Sequence, residues 1–214
     1  MLKKTIAALG LQLAMIACSM EGADADVDGK MYSRTFVTEP RFGQPGGTRT
    51  HALIFRDGKV SDNGGTFFGN PPETFTYRVE GAKVILERVE NGTTQDYVTY
   101  LFDSASKTLS NEAGATFEWI HVIGKSYQRT FVTEPIFGQP GGEKIHSLSF
   151  TEDTVTDNAN TFFGNPPETK PYKLDGDIVI IDGVQKYRLA TNGSNLTGIE
   201  TDQVLHLAPA ASTN

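Results

Sequence analysis

The sequence predicts an all-β protein made of two tandem small up-and-down antiparallel β-barrels, about eight strands each. Three observations carry the prediction. First, one unit is written twice: Tyr32 to Gly47 recurs as Tyr127 to Gly142, and Thr66 to Thr74 recurs unchanged as Thr161 to Thr169, both 95 residues later. Aligning 32–86 with 127–181 gives 33 identities in 55 positions. Second, apolar residues alternate with polar ones, the period of a half-buried strand. Third, short runs of this kind follow one another at regular spacing between turn residues, and the chain beyond residue 17 holds no convincing amphipathic helix. The alternative is an open β-sandwich of the same meander.

The strands of the first unit are read at 32–38, 50–56, 59–63, 74–80, 83–89, 96–102, 107–110 and 116–123. Comparing the two copies separates their faces. In His51-Ala-Leu-Ile-Phe55 against His146-Ser-Leu-Ser-Phe150, Ser147 and Ser149 mark the outward side, so His, Leu and Phe point inward. Asp57-Gly58 between two β-rich runs is a hairpin signal. A two-residue turn there pairs Phe55 with Val60 and Leu53 with Asp62. In Tyr77-Arg-Val-Glu-Gly81 and Tyr172-Lys-Leu-Asp-Gly176 the same alternation ends in a glycine turn, and Val84 and Leu86 match Val179 and Ile181 on the returning strand. Further on, Tyr100 is matched with Tyr187, His121 with His206 and Trp119 with Val204.

The composition excludes some functions. Among 214 residues the formal charge is −7, which speaks against a general nucleic-acid binder. The single Cys removes an internal disulfide framework and any Cys-cluster metal site.

That Cys has a position of its own. Residues 1–17 read as a signal peptide: Lys3-Lys4, then an apolar stretch from Thr5 to Ile16, too short to span a bilayer comfortably. Met15-Ile-Ala-Cys18 resembles the lipobox of bacterial lipoproteins. The resemblance implies lipid attachment at Cys18 and a membrane anchor, with Ser19 resembling the outer-membrane sorting pattern. The alternative is a secreted protein cut after Ala23-Asp-Ala25. Residues 18–30 follow as a lipidated tether. Its Asp24-x-Asp26-x-Asp28-Gly29 opens like a calcium loop, but Thr35 stands where the loop needs its last carboxylate, so an acidic solvated linker is the reading. Repeat 1 then spans 31–124, repeat 2 spans 125–208, and 209–214 is a tail.

In a meander the loops 38–48 and 63–74 share one end, the mouth of the barrel. These loops are nearly identical in the two copies, whereas loops ordinarily vary more than strands. They offer a rim for a ligand or partner: Glu39, Phe42, Gln44, Phe67, Phe68 and Asn70, repeated as Glu134, Phe137, Gln139, Phe162, Phe163 and Asn165. The competing reading makes the Phe residues plugs of the barrel end and assigns the Pro-Gly-Gly and Asn-Pro-Pro identities to turn geometry. Parity places His51 and Asp62 inside, near the mouth, with His146 and Asp157 repeating them. The four are candidate metal ligands, although zinc wants three or four donors. An interior His bonded to a Tyr or a backbone carbonyl is the ordinary alternative. No nucleophile is placed beside His51, because Ser61 faces outward.

The runs Leu53-x-Phe55-x-Asp57-Gly58-x-Val60-Ser61 and Tyr77-x-Val79-x-Gly81-x-x-Val84-x-Leu86, following a lipobox, are similar to the lipocalin-like and META-type β-barrel domains of bacterial envelope lipoproteins. The second copy departs with Thr151-Glu-Asp153 at the turn, and Asn63-Gly-Gly65 lacks the Cys such domains often carry. The resemblance implies a non-enzymatic, cofactor-free barrel. The expectation is a cell-envelope lipoprotein, lipid-anchored and facing the periplasm, whose mouth loops bind a small apolar ligand or an envelope protein. A periplasmic metal-binding or metal-stress protein is the second reading, and a hydrolase the third.

Overall fold

The computed structural model describes residues 24–40, 45–135 and 140–209. Cys18 and the signal segment lie outside them, as do Phe42, Gln44, Phe137 and Gln139. Sixteen strands form two closed antiparallel barrels of eight. The first barrel comprises β1 (Met31–Thr38), β2 (Gly47–Arg56), β3 (Lys59–Asp62), β4 (Glu73–Glu80), β5 (Lys83–Glu90), β6 (Thr93–Asp103), β7 (Thr108–Asn111) and β8 (Thr116–Ile120). The second comprises β9 (Ser126–Thr133), β10 (Gly142–Phe150), β11 (Thr154–Asp157), β12 (Glu168–Asp175), β13 (Ile178–Ile181), β14 (Gln185–Leu189), β15 (Asn195–Gly198) and β16 (Val204–Leu207). Each strand pairs with the next, and β1 with β8 and β9 with β16 close the rings. The open-sandwich alternative is therefore excluded.

The Asp57-Gly58 turn has both central residues at positive φ, 52° and 68°, the geometry that follows the twist of the flanking strands. It sets Phe55 opposite Val60 and Leu53 opposite Asp62. The second copy turns differently, with Thr151 N–H donating to the Thr154 carbonyl at 2.8 Å, yet keeps Phe150 opposite Val155 and Leu148 opposite Asp157. Inward residues fill each barrel: Tyr32, Leu53, Phe55, Val60, Val84, Leu86, Leu109 and Phe117 in the first, Tyr127, Leu148, Val155, Val179, Ile181, Leu189, Leu196 and Leu205 in the second.

The acidic segment before β1 is not a solvated linker. Ala25 and Val27 are buried in the first core and floor the barrel. Ala25 N–H donates to the Gly81 carbonyl at 2.8 Å, Asp24 accepts from Gly81 N–H at 3.2 Å, and Tyr77 Oη donates to Asp28 Oδ1 at 2.8 Å. Val122 floors the second barrel in the same way. The Lys30 N–H to Val27 carbonyl bond, 3.1 Å, has its counterpart from Lys125 to Val122, 3.0 Å. The repeat thus begins before the first strand, and the alternating Asp residues face out only because Ala25 and Val27 face in.

One offset also needs correction. Tyr32 lies opposite Trp119 and Tyr127 opposite Leu207, so Leu207 is the counterpart of Trp119 and Leu205 that of Phe117. His206 then corresponds to Glu118 and is exposed, whereas His121 follows β8 and packs on Trp119. Those two His residues are not a repeated pair. Trp119 packs against the first core.

The barrels join head to wall. Met31, Ile54 and Ile120 point outward from β1, β2 and β8 and pack into the second core. Arg56 Nε donates to Asp175 Oδ1 and its Nη2 to Asp177 Oδ1, each at 3.0 Å, and Nη2 also meets the Asp175 carbonyl. Gly176, with φ +61°, donates to the Gly29 carbonyl at 2.8 Å, and a Cβ there would lie 2.8 Å from Ile54 Cγ2. The same wall on the second barrel carries Ser126 and Ser149 in place of Met31 and Ile54, with their hydroxyls bonded to each other at 2.8 Å. Writing the second copy's residues into the first, Met31→Ser with Ile54→Ser, should cost about 2–5 kcal/mol at this seam. Calorimetry should then resolve two unfolding transitions, and limited proteolysis should cut near residues 121–125.

Candidate functional site

The inward residues near the mouth rise in layers set by the register. Tyr32 pairs with Leu53 in the lowest layer, Arg34 with His51 in the next, and Phe36 with Arg49 at the rim. In the second barrel the layers are Tyr127 with Leu148, Arg129 with His146, and Phe131 with Lys144. An apolar core is therefore topped by a polar layer in both.

His51 Nε2 lies 2.6 Å from Asp62 Oδ1, and His146 Nε2 lies 3.0 Å from Asp157 Oδ1. Each carboxylate also accepts the N–H two residues on, Gly64 at 2.6 Å and Ala159 at 2.8 Å. A Cβ on Gly64 would stand 2.9 Å from His51 Nε2. Ala159 supplies that methyl in the second copy, where the pair is longer and more deeply buried. The partner of each interior His is thus the Asp, not a Tyr or a carbonyl. Burial works to raise the Asp157 carboxyl, but bonds from His146 and Ala159 outweigh it and hold the group below its ordinary value.

The chain leaves β3 through Asn63, whose side chain continues the ladder. Asn63 Oδ1 accepts from Ala52 N–H at 2.7 Å and Nδ2 donates to the Thr50 carbonyl at 3.2 Å. Asn158 does the same with Ser147 and Ile145. A short 3-10 helix follows in each copy, Gly64–Phe68 and Ala159–Phe163. It splits the two consecutive Phe residues. Phe67 is half-buried, its ring edge-on to Phe36 at 5.4 Å and to His51 at 5.9 Å, and Phe162 meets Phe131 and His146 in the same way. Phe68 is 81% exposed and Phe163 75%, close to the figures for the outward Val37 and Val132, both 79%. One Phe of each pair is a plug and the other a rim residue.

A cavity of about 950 Å³ opens at the first mouth. Of the sequence-derived rim residues, Glu39, Phe67 and Phe68 line it, together with His51. Asn70 is exposed and serves the turn, its N–H donating to the Gly65 carbonyl at 3.2 Å, and Asn165 repeats this on Asn160. Glu134 is exposed beside the second mouth. The Pro-Gly-Gly identity has a steric cause: a Cβ on Gly46 would come within 2.7 Å of the Thr38 carbonyl oxygen, and one on Gly141 within 2.6 Å of that of Thr133.

The residues that sequence reasoning missed are Arg34 and Arg129. Their signal was parity: Tyr32, Arg34 and Phe36 share a face. The Arg34 guanidinium lies 4.8 Å from the Phe36 ring centre and 5.3 Å from that of Phe117. Arg129 lies 4.8 Å from Phe131. The Nε of each is buried, and among the described residues it has no hydrogen-bond partner.

Chemically, each mouth offers a guanidinium, a hydrogen-bonded His–Asp pair and aromatic faces. Among the described residues no group of three or more His, Cys, Asp or Glu could hold a metal ion, so His51 with Asp62 and His146 with Asp157 remain two-donor sets. Each pair is closed by its own hydrogen bond, and among the described residues no hydroxyl bonds to either His. No protein-family model, curated protein or solved structure matches this chain.

Because the native carboxyl of Asp157 sits below its unfolded value, its contribution is complete above ~pH 4 and is lost as the pH falls through the depressed native value. Asp157→Asn should cost about 1–3 kcal/mol at neutral pH. The gap in Tm between variant and wild type should close on acidification below ~pH 4, read by thermal scans across pH.

Proposed function

We propose that this chain is a non-catalytic cell-envelope lipoprotein whose barrel mouths bind a small apolar ligand. The observation that carries the reading is the repeated mouth itself, where an exposed Phe and Val stand above a partly plugged barrel in both copies. In the first copy they line a cavity of about 950 Å³, within the range of small-molecule sites. Exposed aromatic and branched residues at a mouth held by glycine and proline give contact area at little entropic cost. Anchoring through Cys18 is supported by the lipobox-like Met15-Ile-Ala-Cys18 and the basic, then apolar, run before it.

The split Phe pair makes the reading testable. Phe68→Ala with Phe163→Ala should leave Tm within the effect of a surface change, about 0.5 kcal/mol, while weakening binding of a neutral apolar dye such as N-phenyl-1-naphthylamine. Phe67→Ala should lower stability by about 1–3 kcal/mol, because it removes packing from His51 and Phe36. If wild-type protein does not bind the dye, or the Phe68/Phe163 variant binds it equally well, the mouth is not the site. Cys18→Ser should abolish incorporation of labelled palmitate and move the protein from the membrane fraction to the soluble one.

A further inference from the structure

We propose that each mouth takes an amphipathic carboxylate, its head group on Arg34 or Arg129 and its apolar tail along the exposed Phe and Val of the rim. This rests on the mouth being a ligand site and adds the charge of the ligand. A guanidinium inside a barrel loses hydration and recovers it only through a partner. Among the described residues Arg34 makes no ion pair, and its guanidinium lies over the faces of Phe36 and Phe117. Those faces stabilise the cation without using its N–H donors.

The nearby carboxylate is already committed, since Asp62 accepts from His51 and from Gly64 N–H. Glu39 also lines the cavity, at its exposed rim, as does Arg49, whose Nη2 donates to the Pro45 carbonyl at 3.1 Å. Beneath an apolar rim the inner layer therefore holds one guanidinium, that of Arg34, with no ion pair among the described residues. The second barrel repeats the arrangement independently. Arg129 lies over Phe131 with its Nε unpartnered among the described residues, and Asp157 is held by His146 and Ala159. A planar guanidinium fork matches a carboxylate with two parallel hydrogen bonds.

The test compares dodecanoate with 1-dodecanol by isothermal titration calorimetry on the full two-barrel protein at neutral pH, below micelle-forming concentrations. Dodecanoate should bind about ten- to a hundred-fold more tightly. Arg34→Met with Arg129→Met, shown to be folded by circular dichroism, should bring dodecanoate down to the affinity of dodecanol and leave dodecanol unchanged. Arg34→Lys with Arg129→Lys should keep part of the preference. Dodecanoate binding should also fall as the pH drops through the carboxyl range of the ligand, and dodecanol binding should not. Equal binding of the two probes by wild type, or a preference that survives the Met variant, overturns the carboxylate and leaves the apolar mouth standing. Binding of neither probe overturns both.

Discussion

A closed eight-stranded barrel has an interior just wide enough for its own side chains. That limit governs the rest of this molecule. Alternation puts half of every strand inside, and the large buried residues, Tyr32, Phe55, Leu86 and Phe117 in the first barrel, use up the space between the floor and the polar layer. Val27 and Val122 then close the lower end. Room for anything else exists only where the strands run out into long loops. The polar layer of Arg, His and Asp sits at that level because below it every inward position must be apolar to pack, and above it the loops bring water.

The same economy explains how two barrels become one body. The floor of the second barrel begins in the chain that leaves β8, so Ile120 serves the last strand of one barrel and the core of the next. No spacer separates them, and the seam is built from outward positions on β1 and β2. A contact between the floor of one unit and the wall of another is heterologous and would propagate if each copy carried both surfaces. The second copy does not: Ser126 and Ser149 replace the apolar wall and satisfy each other.

Much of this was legible in the residues. The Asp57-Gly58 turn fixed the register of β2 on β3, and from that register the inward His51 and Asp62 followed, because a period of two leaves no freedom once one pair is set. What was not legible has definite causes. Identity between the copies drew attention to the loops, whereas Arg34 is announced only by sharing parity with Tyr32 and Phe36. The Asp24–Asp28 alternation has the composition of a solvated linker, and two small apolar residues between the acids suffice to seat it on the core. Two adjacent Phe residues look like one feature, yet on a 3-10 turn they diverge. Carrying one offset across loops of different length paired His121 with His206, and only the strand closing against β1 or β9 gives the true correspondence.

The mouth arginines bear on the charge of the whole chain. An acidic protein with a formal charge of −7 repels anions at long range, which would make an anionic ligand a poor partner. Yet that repulsion is screened beyond about 8 Å at physiological ionic strength, while a guanidinium held among aromatic faces acts at contact distance in a low-dielectric pocket. Packing alone would be served as well or better by Met or Leu at these two half-buried positions, where the buried Nε finds no hydrogen-bond partner among the described residues. In the first barrel the guanidinium lies over Phe36 and Phe117, and in the second, with Leu205 in the place of Phe117, it lies over Phe131. The aromatic surroundings differ between the barrels and the charge does not, which is the pattern expected when the charge, rather than its packing, is the property required.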